Sequence, residues 1–131
     1  MRTRLIWGAG IGVVVAIVIA VVVAGGGTTP IAGVADTAAG DPVAGRVAFE
    51  GTCAACHGVE GVGTDAGPPL VHPYYRPGHH ADGAFVLAVR NGVQPHHWNF
   101  GPMPPQPGLS DQDIADVTVY VRQIQEEAGI R

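Results

Sequence analysis

The sequence predicts a small all-α domain of three to four helices, preceded by a single transmembrane helix. Capping residues open three segments whose apolar positions recur at helical spacing. No alternating strand pattern of any length follows the apolar N-terminus. Residues 5–24 are uncharged, in a chain of 131 residues of which 14% are charged. The roughly ninety residues of the domain are too few for a multidomain enzyme, and a domain of this size often needs a cofactor.

Residues 5–24 are predicted to form a transmembrane anchor, with residues 1–4 in the cytoplasm. Twenty helical residues span about 30 Å, which is the thickness of the hydrocarbon core of a bilayer. Arg2 and Arg4 precede this segment and no arginine follows it for twenty residues, so the positive-inside rule keeps the N-terminus in the cytoplasm. A cleaved signal peptide is the alternative. In both cases we expect the domain on the extracytoplasmic (periplasmic) side of the cell membrane.

The segment between the anchor and the domain is predicted to be flexible, and the domain itself is acidic. Residues 25–40 are rich in glycine and alanine, a composition typical of linkers. Residues 41–131 form the predicted domain. From Asp36 onward five arginines face eleven carboxylates, and the chain contains no lysine, so the exported part carries a formal charge of about −6. This charge excludes nucleic acid as a partner and favours a partner surface that is basic or apolar.

The first two helices of the domain are predicted from their end signals. Asp41 is an N-cap and Pro42 occupies the first helical position, so a helix begins there and runs into the cysteine motif described below. Asp82 is predicted to cap a second helix over residues 83–91. Gly92 is its predicted C-terminal stop, because glycine readily adopts the conformation that ends a helix.

The last helix has the most complete signals. Ser110 and Asp113 have the spacing of a capping box, although glutamate or glutamine is more usual at the second position. Leu109 and Ile114 fit the hydrophobic staple that often accompanies such a box. Beyond it, apolar side chains recur every three or four residues on one face. These residues are Ile114, Val117, Val121 and Ile124, with Tyr120 beside them.

The motif Cys53-Ala54-Ala55-Cys56-His57 predicts one covalently bound haem c. Two thiols about one helical turn apart reach the two vinyl groups of the haem, and the adjacent histidine is a ligand for the iron. A thioredoxin-like pair needs a βαβ pattern, which is not seen around the motif. A zinc site needs further cysteines, and the chain has two. Thioether bonds also protect thiols that would oxidise outside the cytoplasm.

Met103 is the predicted second axial ligand of the iron. The chain contains two methionines, and Met1 is on the cytoplasmic side of the predicted anchor. Pro102 and Pro104 flank Met103 and stiffen its backbone, so its thioether could be held at the iron. The rival is a site with two histidine ligands. Its candidates for the second histidine are His72, His79, His80, His96 and His97.

Three single residues and two short segments are arranged as in one known family. Gly45 and Phe49 precede the cysteine motif by eight and four residues, and Tyr120 lies on the last helix. Residues 67–70 read Gly-Pro-Pro-Leu, and residues 101–104 read Gly-Pro-Met-Pro. With these features the sequence, from residue 41 to about residue 128, resembles the class I c-type cytochromes, which are small monohaem electron carriers.

The resemblance implies a cytochrome c-like fold, in which three to four helices surround one haem. It implies that Gly45 lets the last helix cross the first closely and that Phe49 packs against that helix. The Pro68 carbonyl would accept a hydrogen bond from the ring N–H of His57, and Leu70 would pack on the haem. It also implies electron transfer rather than catalysis on a small-molecule substrate. The absence of lysine argues against a partner that recognises the ring of lysines found on many mobile cytochromes c.

Two groups of polar residues are candidates for more than one role. Trp98, Asn99 and Arg90 are candidate donors to the haem propionates, because buried carboxylates need hydrogen-bond donors. The pairs His79-His80 and His96-His97 are expected near the propionates or at the surface, with a second metal site, for example for copper, as the alternative. Adjacent residues on a helix or strand point apart, so neither pair makes a chelate by itself.

The leading functional hypothesis is a membrane-tethered monohaem cytochrome c that carries single electrons between respiratory-chain partners. The expected partners are redox proteins in or at the membrane, and no enzymatic activity is expected. One alternative is a haem subunit fixed in an oxidase or dehydrogenase complex. Another is a haem enzyme or gas sensor in which Met103 can be displaced.

Overall fold

The structure, a computed structural model, describes residues 39–131. This part of the chain contains four α-helices and two short 3₁₀ turns. The helices are α1 (Pro42–Thr52), α2 (Ala54–His57), α3 (Asp82–Asn91) and α4 (Asp111–Glu127), and the turns are Val59–Gly61 and Pro73–Tyr75. Within residues 39–131 no strand occurs, apart from one isolated antiparallel bridge between Val93 and Met103. The predicted helical class is therefore confirmed for the domain.

The predicted membrane anchor, residues 5–24, lies outside the described residues, as does the predicted linker apart from its last two residues. Among residues 39–131, none of the helices is long and apolar enough to cross a bilayer.

Helix α1 begins as predicted. The Asp41 side chain accepts a hydrogen bond from the Val43 N–H at 2.8 Å, and Pro42 is the first helical residue. The helix ends at Thr52, but the Cys53 N–H still donates to the Phe49 carbonyl. Because α2 begins at Ala54, the helical path continues through the cysteine motif and is interrupted only at Cys53.

Helices α1 and α4 cross at a glycine, as the sequence predicted. A Cβ atom added to Gly45 would lie 2.0 Å from the Asp116 carbonyl oxygen, so no larger residue fits without moving a helix. One turn further on, the rings of Phe49 and Tyr120 have centroids 5.4 Å apart and are tilted by 58°. Phe49 and Val121 are fully buried at this crossing. The core of the domain therefore forms along the α1–α4 contact.

Helix α4 has the capping box predicted for it. The Ser110 hydroxyl accepts from the Asp113 N–H, and the Asp113 carboxylate accepts from the Ser110 N–H at 2.8 Å. Leu109 packs against the buried cluster that contains Ile114, which fits the staple. The face predicted to be apolar is buried except for Ile124, which is partly buried.

Helix α3 ends as predicted but begins one residue earlier. Gly92 has φ of +75° and stops the helix. The prediction that Asp82 is the N-cap is wrong, because Ala81 occupies that position and Asp82 is the first residue of the helix. The Asp82 carboxylate instead accepts a hydrogen bond from Arg122 Nε at 2.7 Å. The packing of α4 brings Arg122 within reach of this carboxylate, which still lies at the positive end of the helix dipole.

Candidate functional site

A cavity of about 440 Å³ lies between the cysteine motif, α3, α4 and the loop that follows α3. Its wall is largely apolar, which suits a large apolar ligand better than a polar metabolite. The wall includes most of the residues that the sequence singled out. These are Cys53, His57, Pro68, Leu70, Trp98 and Met103.

The two cysteines lie one helical turn apart at the start of α2. The N–H groups of Cys56 and His57 both donate to the Cys53 carbonyl, at 3.1 and 2.9 Å. Cys53 is partly buried on the cavity wall, and Cys56 is exposed. Burial and the neighbouring Cys56 raise the pKa of Cys53 from 9.0 to about 11. A thioredoxin-like redox pair requires the opposite shift, because its attacking cysteine needs a lowered pKa.

His57 is held in one orientation by the Pro68 carbonyl. The distance from His57 Nδ1 to the Pro68 oxygen is 2.8 Å. Because a carbonyl can only accept, the proton of the neutral ring is on Nδ1 and the lone pair is on Nε2. This is the hydrogen bond that the family resemblance implies, and it is the arrangement by which proteins orient a metal-binding histidine.

The segment that carries Pro68 is fixed from both sides. The N–H groups of Leu70 and Val71 donate to the Gly61 carbonyl at 2.8 and 3.0 Å. From α4, the fully buried Gln125 donates its amide to the Leu70 carbonyl at 2.8 Å. No motif in the sequence pointed to Gln125, although a glutamine flanked by the apolar positions of α4 is an available signal.

Met103 has a fixed backbone beside the end of α3. Its N–H and carbonyl pair with the carbonyl and N–H of Val93, both at 3.0 Å. A Cβ atom added to Gly92 would lie 2.5 Å from the Met103 carbonyl oxygen, so glycine is needed for this close approach as well as for its positive φ. Met103 is partly buried and belongs to the cavity wall. The loop 94–102 is thus closed by a short bridge that presents Met103 to the cavity.

Arg122 on α4 joins several segments near the cavity, although no motif in the sequence pointed to it. Its guanidinium donates to the backbone carbonyls of Tyr75 and His80 and to the side chains of Asp82 and Gln125. It also lies 4.7 Å from the centre of the Phe85 ring. This one side chain therefore holds the segment that precedes α3 against α4.

The three candidate propionate donors have different positions. Trp98 is on the cavity wall, and its indole N–H donates to the Tyr75 hydroxyl at 3.2 Å. Burial raises the pKa of Tyr75, while the bond from Trp98 lowers it. Arg90 forms an ion pair with Asp111, and neither Arg90 nor the exposed Asn99 is on the wall. Contact of these three residues with propionates stays a prediction.

The histidines outside the motif divide between the cavity and the surface. His80, His96 and His97 are on the cavity wall. His72 packs edge-on against Trp98, and His79 is exposed. Desolvation lowers the pKa of His97, and the nearby imidazoles of His96, His79 and His80 lower it further. The sequence placed these rings in two separate pairs, and the structure brings the pairs together.

Comparison with known protein families indicates which cofactor binds in the cavity. A family model described as Cytochrome c matches residues 42–125. The chain belongs to the cytochrome c family. It is a class I c-type cytochrome, and the family implies one covalently bound haem c. As a cytochrome c, it has an electron-carrying haem domain.

One solved structure extends this comparison. Cytochrome CL from the marine methylotrophic bacterium Methylophaga aminisulfidivorans is similar to this chain with 27% sequence identity and a TM-score of 0.50. The match covers 63% of this chain and 53% of that protein, so this cytochrome spans about half the length of cytochrome CL. A search of curated proteins gave no match.

The residues around the cavity fit a haem c. The apolar wall suits a porphyrin, and the two thiols one turn apart suit its two vinyl groups. The Nε2 lone pair of His57 and the thioether of Met103 are the two donor types found at electron-carrying haem iron. Both residues are on the wall of the same cavity.

Proposed function

We propose that this cytochrome c carries single electrons between redox proteins outside the cytoplasmic membrane, with His57 and Met103 as axial ligands of its haem iron. The observation that carries this proposal is the cavity, because its wall contains Cys53, His57 and Met103 together. Bound haem supplies one-electron iron chemistry. The chain's part is to hold it by thioether bonds to Cys53 and Cys56, to keep both iron ligands fixed and to exclude water.

Fixed ligands favour an electron carrier over a haem enzyme or gas sensor, because transfer is fastest when little rearrangement accompanies it. His57 is oriented by the Pro68 carbonyl, and Met103 is fixed by its paired hydrogen bonds to Val93. Leu70 and the other apolar wall residues keep the site dry, and methionine–histidine ligation then raises the potential. A high potential suits delivery of electrons to a terminal oxidase or a similar acceptor.

The test is an optically monitored redox titration of the haem-loaded protein and of a Met103→Ala variant. We expect a clearly positive potential in the natural protein, together with the weak red absorption band of a sulfur–iron bond in the ferric form. The variant should lose the band and have a lower potential. Leu87→Ala is a matched control, because Leu87 is on the same wall but is 61% exposed.

Two results would contradict the proposed ligation. If the band and the potential persist in the Met103→Ala variant, Met103 is not a ligand. Rapid binding of carbon monoxide to the reduced natural protein would indicate an exchangeable ligand and favour the sensor or enzyme. We expect the reduced protein to bind carbon monoxide slowly, and the Met103→Ala variant to bind it rapidly.

We also propose that residues 5–24 tether the domain to the membrane on its extracytoplasmic side. Support comes from the uncharged length of this segment and from the two arginines that precede it. The full chain should sediment with membranes and be released by detergent but not by high salt. A haem protein that is soluble in the periplasm and whose mass shows loss of the N-terminus would instead indicate a cleaved signal peptide.

A free shuttle and a subunit fixed in an oxidase or dehydrogenase complex differ in how they leave the membrane. We propose the shuttle, because the predicted linker of about sixteen residues would let the acidic domain move between neighbouring proteins. As a coil, such a linker has ends roughly 20–25 Å apart on average. After mild detergent extraction the cytochrome should migrate alone. Stable migration with a larger complex would favour the subunit.

A further inference from the structure

Four imidazole rings from two segments of the chain meet at the cavity wall, to which three of them belong. His79 and His80 lie just before Ala81, the N-cap of α3, and His96 and His97 lie in the loop that follows the helix. Ring centroids are 5.0 Å apart for His79 and His97, 5.2 Å for His80 and His97, and 4.8 Å for His79 and His80. His96 stacks on His80 at 5.6 Å. The two pairs therefore form one cluster.

Three of these histidines direct ligand atoms toward one another. The ligand nitrogens of His79, His80 and His97 all lie within 4.8 Å of one another, and the Nε2 atoms of His79 and His97 are 3.1 Å apart. Three nitrogens bound tetrahedrally at about 2.0–2.1 Å from an ion are roughly 3.3 Å apart. The nitrogens of His79 and His97 already have nearly this separation. Rotation of an imidazole ring can bring the nitrogen of His80 closer to them.

The His80 ring is already in the tautomer that binds a metal through Nε2. Its Nδ1 lies 2.6 Å from the Tyr74 carbonyl oxygen, which can only accept, so Nδ1 carries the proton. Metal-binding histidines are usually oriented by such a bond from the second ring nitrogen. Between His79 and His97 one Nε2 must donate to the other at 3.1 Å. An ion would replace this bond once the donor ring moved its proton to Nδ1.

The surrounding structure holds the cluster in place before any ion binds. The His80 backbone carbonyl accepts from Arg122, and the His97 ring stacks on Tyr74 with centroids 4.6 Å apart. Trp98, next to His97, is held by its bond to Tyr75. The His80 side of the cluster is thus fixed to the 3₁₀ turn and to α4, and the His97 side is fixed to the same turn. Little ordering of backbone is then needed when a ligand binds, which favours affinity.

We propose that His79, His80 and His97 form a binding site for a divalent transition-metal ion, with Cu²⁺ bound more tightly than Zn²⁺. Three neutral imidazoles are donors suited to copper, zinc and nickel rather than to magnesium or calcium, which prefer oxygen. Cu²⁺ is preferred over Zn²⁺ because affinities in a nitrogen site follow the Irving–Williams order. The site leaves at least one coordination position for water or a further ligand.

An ion bound here would join the loop 94–102 to the segment before α3. The Val93–Met103 bridge closes this loop, so the ion would add a second fixed point to the loop that ends at Met103. Mass action then predicts that the metal raises the melting temperature of the haem-loaded protein, because it binds the folded chain and spans two segments.

The experiment is a titration of the ferric, haem-loaded full chain, purified without a polyhistidine tag, with copper(II) chloride and with zinc chloride. The ferric form is used so that Cu²⁺ has no electron to accept from the haem. We expect one tightly bound ion per chain, weaker binding of Zn²⁺, and a copper resonance spectrum split by nitrogen ligands. A His79→Ala variant should bind Cu²⁺ at least tenfold more weakly, with an unchanged haem spectrum.

His96→Ala is the matched control, because His96 is in the cluster but is not one of the three converging ligands. We expect it to lower the affinity less than His79→Ala does. Absence of a stoichiometric ion, or equal binding by the His79→Ala variant, would overturn the site. Equal loss in the His96→Ala variant would overturn the choice of these three ligands. The His79→Ala variant leaves the cavity wall unchanged, because His79 is not on that wall, whereas His80, His96 and His97 are. The haem spectrum of each variant therefore separates a change in iron ligation from loss of the copper site.

Discussion

Single polar side chains of α4 determine how the segments around the cavity are held. Gln125 donates to the Leu70 carbonyl, and Arg122 donates to the carbonyls of Tyr75 and His80. Each bond gives a backbone carbonyl a hydrogen-bond partner, which replaces the water that the carbonyl loses when the chain folds. His57 depends on the same segment, since Pro68 lies two residues before Leu70. The proposed iron ligand His57 is thus oriented through a chain of contacts that starts on α4.

Replacing Arg122 with lysine should destabilise the domain by about 2 kcal/mol or more. The guanidinium donates hydrogen bonds to two carbonyls and two side chains at once, and a single ammonium group cannot reach all four acceptors. Arg46→Lys is the control, because Arg46 forms an exposed pair with Glu50 one turn away and should tolerate lysine with little change. Denaturant unfolding of both haem-loaded variants measures the difference. Equal stability of the two variants would mean that Arg122 does not hold these segments.

At the level of helices, the close approach of α1 and α4 requires a glycine. The atoms nearest to a Cβ at Gly45 belong to the backbone of Asp116, so a side-chain rotation cannot relieve the contact. Phe49 and Tyr120 then fill the space one turn further along. This crossing sets the distance between the helix that leads into the cysteine motif and the helix that carries Arg122.

Gly45→Ala should destabilise the domain by about 3 kcal/mol, because overpacking at the crossing outweighs the better helix propensity of alanine. Gly51→Ala in the same helix has nothing within 4 Å of the added Cβ and should instead stabilise by about 0.5–1 kcal/mol. Thermal or denaturant unfolding of the two variants should therefore shift in opposite directions. A shift in the same direction would contradict the close crossing.

The capping box of α4 should make part of the stability depend on pH. Hydrogen bonds from Ser110 lower the pKa of Asp113 below its ordinary value of 3.8. The carboxylate therefore stabilises the folded state fully above pH 3.8, and this contribution is lost as the pH falls through the lower folded pKa. Asp113→Asn should be less stable than the natural protein at pH 6, and the difference should shrink toward pH 3. A constant difference measured by urea unfolding would contradict the role of the charge.

At the scale of the whole molecule, the charge of the chain from Asp36 onward determines which partners approach fastest. Its formal charge is about −6, and it contains no lysine. Like charges slow an encounter and opposite charges speed it, and added salt screens both effects, with a screening length of about 10 Å at 0.1 M. A basic or apolar partner surface is therefore expected at the haem edge.

Electron transfer from the reduced protein to small complexes tests this expectation. The rate with cationic tris(phenanthroline)cobalt(III) should fall as the ionic strength rises from about 0.01 to 0.5 M, because attraction is screened. The rate with anionic ferricyanide should rise over the same range. Stopped-flow measurement gives both slopes, and slopes of the reverse sign would show that the haem edge is locally basic.

The sequence by itself determined the features that depend on neighbouring residues. The cap at Asp41, the stop at Gly92 and the capping box at Ser110 each act over a few residues, so their signals can be read along the chain. The same holds for the motif from Cys53 to His57, whose spacing is dictated by the geometry of one helical turn. The resemblance to class I cytochromes rested on such short motifs, and the family match confirmed it.

The tertiary structure alone decided the contacts between distant residues. Asp82 meets Arg122 across 40 positions instead of capping its own helix, and His79 meets His97 across 18 positions. Local propensity does not encode such pairs, because they depend on how α3 packs on α4 and on how the loop after α3 folds back. The local motifs therefore predicted the haem domain, and the packing of its helices decided where the histidines meet.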